Sequence, residues 1–338
     1  MGKRKGKSRR GGKQAPWRKI LPWAIAGVLL VAGVLFALLY KNEALVRIER
    51  AVSIDEQSLL VFGNSGDDTD TTRWSSVGIL GPDGVIRHRA HEKGALRFLG
   101  MTDEVVWFSH PTRDIHARRL PSLELVPGLA EAIANHGPLS NRHNVAGFTR
   151  EAIVLVGADN KHYALALDGS ISRADELKYA LPGAVLRGSA DAPGVGEELR
   201  QLQQKVGKDP ELSHPVVVTD AAGTAPLSLD EPGYLVRSIV FYKGGQSQAV
   251  HRFAPDGTLV WSTSVEDMMD AVEADGQHIG LVWVGRLDGR LCAIVQLSEF
   301  FSGDESSDDY STHVQRLVDI DPATGALSNT RPITAEKT

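Results

Sequence analysis

Six of the eleven histidines, His88, His91, His110, His116, His136 and His143, fall within one 56-residue window. Such a density matters only if the rings converge on a metal. His88 and His91 stand three apart on an expected strand, where odd offsets point to opposite faces. Zinc would also need a third protein ligand and an ordering shell behind it, so the histidines are read as surface and turn residues. Gly245-Gln-Ser247-Gln-Ala249 has the outline of a nucleophile elbow, with His251 and Asp256 downstream. The elbow requires a strand-to-helix turn, whereas Tyr242–Gly245 ends one expected strand and Ala249–Phe253 opens another, which places Ser247 in a hairpin loop. Asp67-Asp68-Thr69-Asp70 and Asp304-Glu305-Ser306-Ser307-Asp308-Asp309 carry hard oxygen ligands suited to calcium. Neither has the spaced acids, glycine and terminal glutamate of a calcium loop, and both are read as solvated loop tips. No phosphate-cradling glycine loop, paired zinc motif or dinucleotide fingerprint occurs. The residues therefore assign no catalytic side chain, no metal ligand and no cofactor. Trp74, Trp107, Trp261, Trp283 and the single cysteine, Cys292, all fall in or beside expected strands and are read as packing.

The elements that must position these residues begin with a membrane signal. Residues 1–19 carry nine basic side chains and no acidic one, the composition of a disordered cationic tail. Ile20–Tyr40 then runs 21 residues without a charge, which as a helix spans roughly 30 Å, one hydrocarbon core. Trp17, Trp23 and Tyr40 lie near its ends, as in aromatic belts. The run is longer than the apolar stretch of a signal peptide and has no small-x-small exit, so it is read as an uncleaved anchor. The basic tail stays on the cytoplasmic face, which puts the remainder outside, at the plasma (inner) membrane and in the periplasm if the cell is bacterial. That remainder holds 28 basic against 42 acidic residues, a formal charge of −14. That balance argues against nucleic acid or an anionic membrane surface as its main partner, since both would be repelled. With one cysteine no intrachain disulfide forms, and the core must hold the fold.

Strand-like runs recur through the acidic part: Ser58–Gly63, Val77–Leu80, Val105–Phe108, Ile153–Val156, His162–Leu167, Val216–Thr219, Leu235–Tyr242, Val250–Phe253, Ile279–Val284, Leu291–Leu297 and Gln315–Ile320. Turns at Pro82-Asp83-Gly84, Asp168-Gly169, Pro255-Asp256-Gly257 and Asp288-Gly289 join several as antiparallel hairpins. Helical patterns cover Pro127–Asn135, Gly196–Val206 and Ser264–Ala274, the last opening on the capping pair Ser264 and Asp267. A phrase of strand, Asp/Pro/Gly turn and short strand repeats at 77–86, 163–171, 250–261 and 316–327, with further copies indicated at 119–125 and 218–227. The turn glycines 84, 169 and 257 lie about two propeller-blade periods apart, and dividing the length by one period predicts about six blades.

The phrase, best seen at Asp256-Gly257-Thr258-Leu259-Val260-Trp261, resembles the hairpin of PQQ-like, quinoprotein-type β-propeller repeats. The resemblance covers about a dozen residues per copy. It implies either a cofactor-binding dehydrogenase or a cofactor-free scaffold of the kind used in outer-membrane protein assembly. The enzymes need acidic calcium ligands and a cofactor pocket that no residues here supply, which points to the cofactor-free kind. The expected organisation is a tail at 1–19, a transmembrane helix at 20–40, a linker at 41–50, an all-β, propeller-like domain with a few inserted helices at 51–330 and a flexible end at 331–338. The function expected is that of a membrane-anchored extracytoplasmic binding or scaffold protein, held in the bilayer by residues 20–40 and meeting an envelope protein or cell-wall component. The alternative is an envelope enzyme, a hydrolase or quinone-cofactor oxidoreductase, on the same fold.

Overall fold

The computed structural model describes residues 48–65, 74–94, 96–109, 115–140, 143–186, 196–242, 245–268, 277–300 and 310–336. The chain divides into two units, 1–45 and 46–338. The tail, the expected span at 20–40, the acidic loops at 67–70 and 304–309 and His110 lie outside the described residues. Among the described residues no helix is long and apolar enough to cross a membrane.

The second unit is mostly β, built as five antiparallel sheets met in chain order. The first contains β1 (Arg50–Ser53), β2 (Leu59–Ser65), β3 (Trp74–Leu80) and β4 (Val85–Lys93); the second contains β5 (Arg97–Met101), β6 (Val105–Ser109) and β7 (Ile115–Arg119). β8 (Asn144–Phe148), β9 (Ala152–Val156), β10 (His162–Ala166) and β11 (Ile171–Arg173) form the third. The fourth is β12 (Ser213–Val217), β13 (Tyr234–Tyr242), β14 (Gly245–Phe253) and β15 (Leu259–Ser264). The fifth is β16 (Gln277–Leu287), β17 (Arg290–Phe300), β18 (Tyr310–Ile320) and β19 (Leu327–Pro332). Each is a meander whose strands follow one another in sequence, and at several joints an Asp-Gly turn, or Asp321 through Gly325 between β18 and β19, supplies the positive φ that a tight reversal needs.

The repeated phrase marks one joint in every sheet, the hairpin from third to fourth strand. In the second sheet that fourth strand is reduced to a bridge from Arg118 to Leu125, flanked by Val126 N to Ala117 O at 2.8 Å. The phrase at 218–227 is the exception. It folds as a local hairpin, Thr219 bridged to Pro226, between β12 and β13, because Asp220 caps its own turn by accepting the Thr224 amide at 2.8 Å. Five sheets among the described residues thus replace the expected six; one turn chemistry serves both a sheet and a loop.

Apolar clusters join neighbouring sheets. Val52, Leu60 and Phe62 pack on Phe98, Val106 and Phe108 between the first and second. Leu99, Val105 and Trp107 meet Phe148, Ile153 and Leu155 between the second and third. Leu235, Val250 and Trp261 meet Leu281, Ala293 and Val295 between the fourth and fifth. The expected helices are present, the first two in shortened form and the third over its described residues, since 269–274 lie outside the described residues. They are α1 (Leu129–Asn135), α3 (Glu197–Val206) and α4 (Val265–Met268), with a further turn, α2 (Gly137–Ser140), after α1. α3 lays Leu199 and Val206 on Val217, Val236 and Phe253 of the fourth sheet. The Ser264–Asp267 capping box closes as read, with Ser264 Oγ donating to Asp267 at 2.7 Å and the Asp267 amide to Ser264 Oγ at 3.2 Å.

Two boundaries shift. Ile48 is buried and the Glu49 amide donates to Phe62 O at 3.0 Å, so the end of the expected linker belongs to the first sheet. The expected flexible end does not start at 331: β19 runs to Pro332, and β20 (Thr334–Ala335) pairs in parallel with β4. Thr334 N donates to Gly84 O and Glu336 N to Ile86 O, both at 3.0 Å. Polar residues there satisfy an otherwise open sheet edge, which a composition-based reading of the terminus does not register.

Candidate functional site

β1, β12 and β16 are the first strands of their sheets, and their residues line a cavity of about 1320 Å³. The first strands of the second and third sheets reach it only through an intermediary. Residues 179–186 leave the third sheet, run back, and pair with both of those edges. Phe148 and Ala180 exchange backbone bonds at 2.9 and 2.8 Å, Gly183 N donates to Leu99 O at 2.7 Å, and Leu186 N donates to Met101 O at 2.8 Å. Gly147 permits this approach, since a Cβ there would stand 2.1 Å from Ala180 O. The cavity wall therefore comprises three first strands, the segment that covers the other two, the 218–228 hairpin and Arg237 of β13.

Apolar side chains form most of that wall, and two remain conspicuously open: Leu181 at 71 % and Val216 at 55 % exposure. Trp283 lines it as well, its indole lying over Gly285, where a Cβ would come within 2.4 Å of the ring. Three guanidiniums reach the wall. Arg286 is spent on its surroundings, donating to Ser228 O at 3.0 Å, Gly289 O at 2.9 Å and Asp230 at 2.7 Å. Arg50 stacks 4.7 Å from the centre of the Phe98 ring and reaches Gly183 O at 3.4 Å; burial pushes its pKa down. Arg237, half-buried on β13, has no carboxylate, carbonyl or ring partner among the described residues, and burial likewise pushes it down. Of the wall's carboxylates, Asp55 accepts from Gln57 N and Ser58 Oγ at 2.8 Å, Asp103 faces Arg150 at 3.7 Å, and Asp220 holds its own turn.

The residues singled out in the sequence do not assemble here. His91 bonds Ser76 at 2.9 Å, His136 meets the Tyr163 ring edge-on with centroids 4.8 Å apart, and His143 contacts Leu139 O at 2.9 Å. Among the described residues no three His, Cys, Asp or Glu side chains come together as metal ligands. Ser247 sits in β14, paired with Val240, and not in a hairpin loop; the strand begins at Gly245. His251 instead meets Ser238, with Nε2 2.6 Å from Oγ, while Asp256 caps its turn by accepting the Thr258 amide at 2.8 Å. Both members of the Ser238–His251 pair are buried, which leaves a serine nucleophile no approach for substrate. Trp107 and Trp261 pack between sheets, the latter donating to Pro322 O at 3.0 Å. Cys292 is buried with its thiol pushed up to about 12 by burial and the neighbouring Asp319, which keeps it protonated and inert.

Reasoning from the sequence missed Arg237 and read Trp283 as packing, whereas it lines the cavity. The signal available was a lone arginine inside the otherwise uncharged run Tyr234–Tyr242, a position where a charge requires a solvent-filled space or a partner.

His251 has a measurable consequence. Burial lowers its pKa, and the more distant charge of Asp209 opposes this only in part. With the folded value below the unfolded ~6.5, the folded chain binds fewer protons than the unfolded one as pH falls. Stability is then full above the unfolded value and drains away as pH drops toward the folded one. Urea midpoints taken from about pH 7.5 to pH 5 are expected to fall more steeply for the native chain than for His251→Gln. Parallel slopes would remove His251 as the cause.

No protein-family model matches the chain, so the quinoprotein-type resemblance has no support at family level, and no curated protein matches it. Weak likenesses to solved structures exist. The mannose phosphorylase MPT-4 from Leishmania mexicana is 11 % identical, with 91 % of this chain and 77 % of that one covered at a TM-score of 0.26. BamB from Moraxella catarrhalis is 12 % identical, with 85 % and 76 % covered at 0.23, and the N-terminal domain of Nup159 is 11 % identical, with 84 % and 76 % covered at 0.21. At these scores the likenesses assign neither family nor activity; the chain is a mostly β protein of repeated antiparallel sheets around an apolar-walled cavity.

Proposed function

We propose that this chain is a binding protein built on a five-bladed β-propeller-like scaffold, anchored by residues 20–40 with its acidic part outside the cytoplasm. One observation supports the scaffold most directly. First strands from every sheet, directly or through residues 179–186, border one cavity, while β20 adds to β4 and the Asp288 amide donates to Glu56 O at 2.5 Å, tying the last sheet to the first. A radial array closes in this way and leaves its connecting loops free to vary. The resemblance of the repeated phrase to quinoprotein-type repeats points the same way, toward the cofactor-free kind. The partner expected is an envelope protein or cell-wall component meeting the loops, with no role for nucleic acid because the exported part is strongly acidic.

The test uses the full chain in its membrane. Carbonate washing is expected to leave it in the pellet, and protease added from outside after the outer layer is opened is expected to digest residues beyond 41. Photo-crosslinking from positions in the loops, with the membranes intact, should then recover the same envelope component from independent positions. Release by carbonate, or protection of the acidic part from external protease, would overturn the anchored reading.

A further inference from the structure

The cavity wall combines exposed apolar side chains with one guanidinium, that of Arg237, which meets no carboxylate, carbonyl or ring among the described residues. Arg237 pairs across the sheet with Val216 and Val250, the latter in the apolar contact between fourth and fifth sheets. It shares its face of β13 with buried Leu235. Its charge is permanent, and a half-buried arginine without a carboxylate is costly unless something anionic arrives. Leu181 and Val216 present apolar surface to the same space, where closing over each other or moving into the core would have hidden them. Apolar walls with a few placed polar groups are the usual make-up of small-molecule sites.

The wall's charge narrows the ligand. Three arginines, Arg50, Arg237 and Arg286, face four carboxylates, Asp55, Glu56, Asp103 and Asp220. That balance leaves no surplus positive charge for a dianion such as hydrogen phosphate, while Arg237, the one of the three without a partner among the described residues, can answer a single negative charge and its planar fork matches a carboxylate bidentately. From these observations we infer that the cavity binds a small organic monocarboxylate, its carboxylate held by Arg237 and its apolar body resting on Val216, Leu181 and Trp283. The inference is independent of the membrane anchor, so failure of one leaves the other standing.

The experiment takes the full chain in lipid nanodiscs and titrates 4-phenylbutyrate by calorimetry, alongside its uncharged analogue 4-phenylbutanamide and inorganic phosphate. In parallel, small molecules are extracted from the natively purified chain and identified by mass spectrometry. Saturable one-site binding of phenylbutyrate is expected, with the amide and phosphate each weaker by about tenfold or more, the range of one charge-assisted pair. Arg237→Met should weaken phenylbutyrate by about tenfold or more and Arg237→Lys by less, since lysine keeps the charge without the fork. Should Arg237→Met fail to fold, Val216→Glu provides the second arm. This exposed position tolerates a polar side chain; both ligands lose the Val216 contact, and the added carboxylate should weaken the acid by clearly more than the amide. Any organic acid extracted from the native chain should be absent from the variant. Equal binding by native chain and variants, an amide that binds as well as the acid, or no saturable binding to about 10 mM together with no extracted acid would each overturn the inference.

Discussion

Asp319→Ala is expected to cost about 3–5 kcal/mol of folding stability, the range for removing one partner from a buried ionic group. Asp319 is 4 % exposed and accepts from Arg290 Nη1 at 2.9 Å, Arg331 Nη1 at 3.1 Å, Asn329 Nδ2 at 3.2 Å and the Cys292 thiol at 3.2 Å, with Arg331 Nη2 on its other oxygen. Those donors come from β17 and β19, so a single carboxylate on β18 fastens three strands of the fifth sheet. Burial alone would raise its pKa, but the bonds from Arg331, Cys292 and Asn329 and the charge of Arg331 outweigh it and hold the group below the ordinary carboxylate range. This stabilisation is present above the unfolded value of ~3.9 and is lost as pH falls through the folded one. Urea denaturation at neutral pH reads the effect. Replacing Arg290 and Arg331 by methionine in the alanine background is expected to recover part of the loss, because the orphaned guanidiniums carry much of the cost. A loss below about 1 kcal/mol for Asp319→Ala would show the network to be superficial.

Phe148→Ala should be comparably damaging, about 3–5 kcal/mol, as for other large aromatic truncations in cores. The ring is 1 % exposed and lies between the second and third sheets, directly over Gly100. A Cβ at Gly100 would fall 2.2 Å from Phe148 Cε1, and the Phe148 backbone cannot retreat because its N–H and C=O are both bonded to Ala180. Gly100→Ala alone is therefore expected to cost about 1–3 kcal/mol by overpacking. In the double variant the methyl group enters space that the missing ring has vacated, so the combined loss should be clearly smaller than the sum. Strict additivity by urea denaturation would mean that the two residues do not key the sheets together.

Much of the local structure follows from local chemistry. The runs at Val105–Phe108, Ile153–Val156 and His162–Leu167 became β6, β9 and β10, and the turns at Asp83-Gly84, Asp168-Gly169, Asp256-Gly257 and Asp288-Gly289 each closed a hairpin between consecutive strands. Strands with charged or small residues escaped notice, among them β4 (Val85–Lys93) and β8 (Asn144–Phe148), because their stability comes from paired neighbours more than from their own propensity. α3 was legible from Leu199, Leu202 and Val206 falling on one face.

Residue order and composition account for the meanders, the capping box at Ser264 and Asp267 and the separation of a basic, uncharged-run N-terminal segment from an acidic remainder, since each depends on residues close in the chain or on composition. The number of sheets among the described residues, the β20–β4 closure, the Ser238–His251 pair, the Asp319 network and the cavity that Arg237 lines come only from tertiary contacts. Each of these brings together groups from separate strands, and a lone arginine in a strand becomes a binding group or a liability according to which side chains the fold carries to within a few ångströms of it.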